Sequence, residues 1–173
     1  KDGKLMTIDE VMGEILPYRG FLKIAGGVTI SGGEPLVQHE FVGEIFRRCK
    51  AEGLHTALDT QGYLGAQVSD AWLENVDLVL LDIKAIDPEV HLRLTSQKLD
   101  NTLAFAERLK RLNRPMWIRY VVVPGYTDKE TDAEKMAEYV ASLGPCVQRV
   151  ETLPFHKLGE HKWHELGMKY ELD

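Results

Sequence analysis

Asp59 and Asp82 each close a short apolar run, Leu54 to Leu58 in one case and Leu78 to Leu81 in the other. Carboxylates brought together at equivalent places repel one another unless a cation or a hydrogen-bond donor lies between them, so the pair is a candidate ligand site. Either aspartate can equally cap the segment that follows it. Gly32-Gly33, with Glu34 behind them, follow a third run, Val28-Thr29-Ile30. A glycine pair serves as a tight turn, and it also bares the backbone so that a ligand can approach free N–H groups. Lys84, just past Asp82, reads alone as a solvated lysine. His156 follows a further run, and with His161 and His164 it matches no strong zinc spacing. Arg119 is different. Flanked by Ile118 and Tyr120 in an apolar stretch, its charge needs an acidic partner on a neighbouring strand, or a ligand or substrate group.

These residues are placed by alternating helical and strand patterns. Thr7-Ile8-Asp9-Glu10 spells a capping box ahead of Val11, Met12, Ile15 and Leu16, which share a helix face. The patterning predicts strands near 28–31, 54–58, 78–82, 116–123 and 147–153, separated by helices. One helix runs over 38–52 and stops at Gly53, a short one covers 68–75, and another starts at Asp87-Pro88. Asp100 is expected to cap a longer helix, and Thr131-Asp132-Ala133-Glu134 to open one that Gly144 closes. Leu78 to Leu81 is apolar on both faces, as in a strand buried between layers. Repeated βα alternation without hairpin signals gives a parallel α/β sheet with right-handed crossovers. Periodicity leaves an open or partial (β/α) barrel and a doubly wound sheet both standing. In either, ligands bind at the carboxyl ends of strands, and every polar group above follows a strand except Arg119, which falls inside one.

With 173 residues, 44% of them hydrophobic, the chain makes one compact domain. A net charge of −6 without a basic stripe argues against nucleic acid, and no apolar run approaches the roughly 20 residues of a membrane span. Cys49 lies in a helical apolar pattern and Cys146 at the start of the last strand; two lone cysteines do not ligate a four-iron cluster in the usual way. No disulfide between them is expected, and a cytoplasmic location is.

Ser31-Gly32-Gly33-Glu34-Pro35 resembles the glycine-glycine-glutamate motif of radical S-adenosylmethionine (SAM) proteins. Leu58-Asp59-Thr60-Gln61-Gly62, Leu81-Asp82-Ile83-Lys84, Trp117 to Gly125 and Leu153 to Trp163 follow in order, and together they resemble the pyruvate formate-lyase activating enzymes over nearly the whole chain. The resemblance implies a partial, open parallel β/α barrel, with residues 1–173 forming a radical SAM core domain truncated at both ends. It implies an activase in which a 4Fe–4S cluster reduces SAM, and a 5′-deoxyadenosyl radical takes a hydrogen atom from a glycine of pyruvate formate-lyase, with an electron donor such as flavodoxin.

By the same resemblance, Gly32, Gly33, Glu34, Asp82, Ile83, Lys84 and His156 bind SAM. Asp59, Thr60, Leu80 (through its carbonyl) and Asp82 hold a monovalent cation, and Arg119 holds the glycine-loop peptide. The family's cluster cysteines, spaced Cys-x3-Cys-x2-Cys, are expected before Lys1 together with the first barrel strand. Cluster ligands and catalytic residues are therefore absent from the expectation for this chain, which alone is expected to be inactive. Gln61 stands where an asparagine is common. Another glycyl radical enzyme as target, a cluster-free SAM- or peptide-binding module, and an unrelated enzyme with a divalent metal at Asp59 and Asp82 are the competing readings.

Overall fold

The computed structural model describes residues 3–157 together with His161, Glu165 and Gly167. The chain opens with helix α1 (Ile8–Ile15), whose capping box forms as the spelling requires: Thr7 N–H donates to Glu10 at 2.7 Å and Glu10 N–H to Thr7 Oγ1 at 3.2 Å. Helix α2 (Arg19–Ala25), which the patterning does not announce, ends at Gly26 in the left-handed region and leads into strand β1 (Val28–Ile30). Then come α3 (His39–Ala51), β2 (Thr56–Thr60), α4 (Asp70–Leu73), β3 (Leu78–Asp82), α5 (Pro88–Thr95), α6 (Asp100–Arg111), β4 (Met116–Val122), α7 (Glu130–Leu143) and β5 (Val147–Pro154).

All four strand pairings are parallel and the order is β1-β2-β3-β4-β5. Right-handed crossovers in unbroken sequential order put the helices that connect the strands on the same face of the sheet, whereas a doubly wound sheet needs a reversal of order. The covered face carries Leu58, Val79, Leu81, Met116, Ile118 and Tyr120, packed on Phe46, Leu73, Phe105, Leu109, Met136 and Leu143. Along β3 burial alternates, with Val79 and Leu81 buried and Leu78, Leu80 and Asp82 half-exposed. The expectation of a strand buried on both faces is thus corrected: an apolar run carries no phase, and here only alternate residues meet helices.

Several boundaries also differ. β2 begins at Thr56, not Leu54, because Leu54 N–H is spent on Cys49 O at the end of α3, and Thr56 N–H donates to Asp77 Oδ2 at 2.9 Å. Asp59 and Thr60 therefore lie within β2 and not after it. Asp100 does not cap α6 but is its first residue, where its charge still suits the helix N-terminus. Thr131 sits inside α7, which starts at Glu130 without a side-chain cap. Asp87 does cap α5, accepting from Glu89 N–H at 3.0 Å and Val90 N–H at 3.2 Å. Both cysteines are free and buried.

Candidate functional site at the strand ends

The loop after β1 is held by Glu34. Its Oε1 accepts from the Thr60 hydroxyl at 2.6 Å and Leu36 N–H at 3.1 Å, and its Oε2 from Gln61 N–H at 3.1 Å. Both oxygens of this carboxylate thus face the end of β2 and the turn into α3. Thr60 is buried and in turn accepts from Gly62 N–H at 2.9 Å. Ahead of Glu34, Gly32 and Gly33 adopt φ of +90° and +53°, which side chains disfavour, and a Cβ on either would meet no protein atom within 4 Å. The loop is therefore fixed at its base and open above its glycines.

Across this opening stand the two aspartates. Asp82, the last residue of β3, accepts from Lys84 Nζ at 2.7 Å through Oδ2, while its Oδ1 is buried without a hydrogen-bond partner. Asp59 accepts from Arg119 Nη1 at 3.0 Å. Gly32, Gly33, Asp59, Thr60, Gln61, Asp82 and Lys84 together line one polar cavity of about 220 Å³. Arg119 thus has the acidic partner that its burial demanded. Each aspartate is already balanced by a cationic side chain, and among the described residues no group of three His, Cys, Asp or Glu could hold a metal ion. That arrangement does not favour a divalent metal at Asp59 and Asp82.

Other candidates stand apart from the cavity. Ile83 is buried in the core and its N–H donates to Arg119 O at 3.0 Å. Leu80 is the register partner of Asp59, on the same face, but does not line the cavity. His156 lies past the end of β5, exposed and outside it. Leu158, Gly159, Glu160, Lys162, Trp163 and His164 lie outside the described residues. A second hollow of about 200 Å³ shares Lys84 and is otherwise largely apolar, lined by Leu94, Val121, Val123 and Phe155 among others.

Sequence reasoning passed over Trp117, Arg149 and Glu151. Glu151 is the register partner of Arg119 and Arg149 that of Trp117. Arg149 covers the Trp117 ring at 4.8 Å and its Nε lies 3.2 Å from Glu151. The available signal was the spacing of two, Trp117 to Arg119 and Arg149 to Glu151, which puts each pair on one face.

The Radical SAM superfamily model matches residues 1–137. The pyruvate formate-lyase 1-activating enzyme of Escherichia coli K12 is 45% identical over 174 residues, covering 99% of this chain and 70% of that protein. The chain belongs to the radical SAM superfamily, among the pyruvate formate-lyase-activating enzymes. The activating enzyme of Staphylococcus aureus USA300 is 43% identical over 97% of this chain and 69% of its own length. A crystallised domain of the Bacteroides vulgatus activating enzyme superposes with a TM-score of 0.67 at 27% identity, covering 86% of this chain and 99% of that one. Streptococcus suis SuiB, at 12% identity, shares the fold with a TM-score of 0.76 over 99% of this chain and 37% of its own.

Membership in this radical SAM family implies SAM and a 4Fe–4S cluster as cofactors. The cavity fits the first. Its open glycines and the unspent Asp82 Oδ1 suit a ligand that brings a hydrogen-bond donor or a positive group. The two cysteines do not fit the second. Cys49 lies in the last turn of α3 and Cys146 precedes β5, both in the core toward the amino ends of the strands, and burial raises the Cys49 thiol above its usual pKa. Neither is a cluster ligand at the rim.

Proposed function

We propose that this chain forms the SAM-binding core of an activating enzyme that installs a glycyl radical on pyruvate formate-lyase. The observation that carries the reading is the polar cavity at the strand ends, where groups following or ending β1, β2 and β3 converge in a chain 45% identical to such an activase. In this reading residues 1–173 act as one core domain of a cytoplasmic protein. Among the described residues no helix is long and apolar enough to cross a membrane.

Gly32 and Gly33 admit the methionine end of SAM to the backbone, and Asp82 Oδ1 accepts from the ligand while Lys84 keeps the other oxygen in place. Glu34 acts from behind, by holding the glycine loop on β2. Ile83 contributes through the rim it anchors, and His156 closes on the ligand from β5. A monovalent cation is held by Asp59 through its free oxygen, the Thr60 hydroxyl, the Leu80 carbonyl and Asp82, whose Oδ1 it shares with the ligand. Arg119 holds the glycine-loop peptide, and a flavodoxin serves as electron donor. SAM held here would supply the chemistry: one electron, passed from the donor through a 4Fe–4S cluster, would cleave it to methionine and a carbon radical that takes a hydrogen atom from the target glycine.

The test is Asp82→Ala in the whole protein with its cofactors. Anaerobic calorimetry should show SAM binding weakened at least tenfold, about the worth of one charge-assisted hydrogen bond, and electron paramagnetic resonance should show less glycyl radical on pyruvate formate-lyase. Wild-type affinity and radical yield in this variant would remove Asp82 from the site.

A further inference from the structure

The charged groups do not end at the cavity. From Asp59 they cross the open face of the sheet: Arg119 Nη1 lies 3.0 Å from Asp59 Oδ2, and Arg119 Nε 3.6 Å from Glu151 Oε2. Glu151 Oε1 in turn lies 3.2 Å from Arg149 Nε. The Arg119–Glu151 contact is an ion pair too long for a hydrogen bond, and Arg119 Nε is buried with no other partner. Asp59 also lines the cavity, so a cation or donor bound there competes with Arg119 for its charge. Glu151 does not line the cavity, and its charge stays with Arg119 whatever the cavity holds. Arg149, stacked on Trp117, shares Glu151 with Arg119 by pairing with its other oxygen.

We propose that Glu151 is a positioning residue for Arg119, holding its guanidinium on the open face when the Asp59 carboxylate is drawn to a ligand in the cavity. This rests on the reading of Arg119 as a contact for the glycine-loop peptide. A guanidinium held at one Nη swings on a long flexible stem, whereas a second carboxylate beside Nε attracts its charge and keeps it over this part of the sheet.

The experiment uses the whole protein with SAM bound and a labelled synthetic peptide carrying the glycine loop of pyruvate formate-lyase, followed by fluorescence anisotropy. Glu151→Gln keeps the side-chain volume and removes the charge. The peptide Kd should rise about fivefold to tenfold, the scale of one partly exposed charge contact, while calorimetric SAM affinity changes by less than about twofold. In an Arg119→Ala background the same substitution should add nothing, a coupling that a merely structural role would not produce. Should the neutral side chain unsettle β5, Arg149→Gln gives a second arm. It frees both Glu151 oxygens for Arg119, so peptide affinity should hold or improve, and a loss as large as that expected for Glu151→Gln would overturn the proposal. If Arg119→Ala weakens the peptide and Glu151→Gln does not, the positioning role fails and the Arg119 reading survives. If neither substitution moves peptide affinity, the Arg119 reading fails too.

Discussion

Thr60 donates its hydroxyl to Glu34 Oε1 at 2.6 Å, which joins the loop after β1 to the last residue of β2. The same carboxylate serves Leu36 and Gln61 N–H. Glu34→Ala strands three donors, a loss of about 2–4 kcal/mol at roughly one per hydrogen bond. The melting temperature should fall by several degrees and SAM affinity should drop with it, while Glu34→Gln, which keeps one acceptor, loses less. An unmoved melting temperature in Glu34→Ala would mean that this carboxylate does not hold the loop.

Gly33 and Gly65 separate ligand access from packing. At Gly33 the penalty for a Cβ is its φ of +53°, about 1 kcal/mol, and no neighbour obstructs it. At Gly65 a Cβ would come within 2.2 Å of the Phe105 ring. Gly33→Ala should therefore lower the melting temperature by only about 2–4 °C while weakening SAM binding, because the methyl group stands over the cavity. Gly65→Ala should cost far more stability. Equal SAM affinity in wild type and a folded Gly33→Ala variant would count against the cavity as the ligand site.

His91 makes stability depend on pH. It is 4% exposed, its Nδ1 has no partner, and burial, aided by the Lys84 charge, holds its pKa below the usual 6.5. The unfolded chain then binds the proton more readily than the folded one, so the contribution is full above pH 6.5 and is lost as pH falls toward the lowered folded value. Thermal unfolding should show the protein less stable at pH 5.5 than at 7.5, and His91→Gln should narrow that gap. A gap of undiminished size in the variant would assign it to other groups.

Lys84 and the proposed monovalent cation would have overlapping electrostatic tasks. Lys84→Met leaves both Asp82 oxygens without a cationic side chain, at a cost of about 1 kcal/mol for a pair this exposed. Potassium chloride should then raise the melting temperature of the variant more than it raises that of the wild type. Tetramethylammonium chloride at the same ionic strength should not. Identical responses to the two salts would argue against a cation held between the aspartates.

The strands were readable where apolar runs end in glycine, aspartate or proline, and Gly32, Gly33, Asp59, Thr60, Asp82 and Lys84 meet in one cavity because they share that relation to consecutive parallel strands. The start of β2 was not readable. Leu54 and His55 are ordinary strand residues, but Leu54 N–H goes back to Cys49 O, and only the His55 carbonyl reaches β1, accepting from Val28 N–H. Nor could Leu78 to Leu81 say which of its faces is open, since all four residues are apolar. The Arg119–Glu151–Arg149 line was hidden for another reason. It depends on the register between β4 and β5, which is set by packing across the whole sheet and has no local spelling.

The sequential order of the strands gives the sheet a gradient of backbone protection. β3 has a bonded neighbour on each side, and β4 and β5 stay paired from Met116 to Val122, but β1 meets β2 over Val28–Ile30 alone. In deuterated water the amides of β3 and β4 should exchange more slowly than those of β1, because each of those strands is paired on both sides. The glycine loop follows the strand with the fewest ladder pairs among the described residues, so the Glu34 carboxylate, more than the sheet, sets how firmly that part of the site is held.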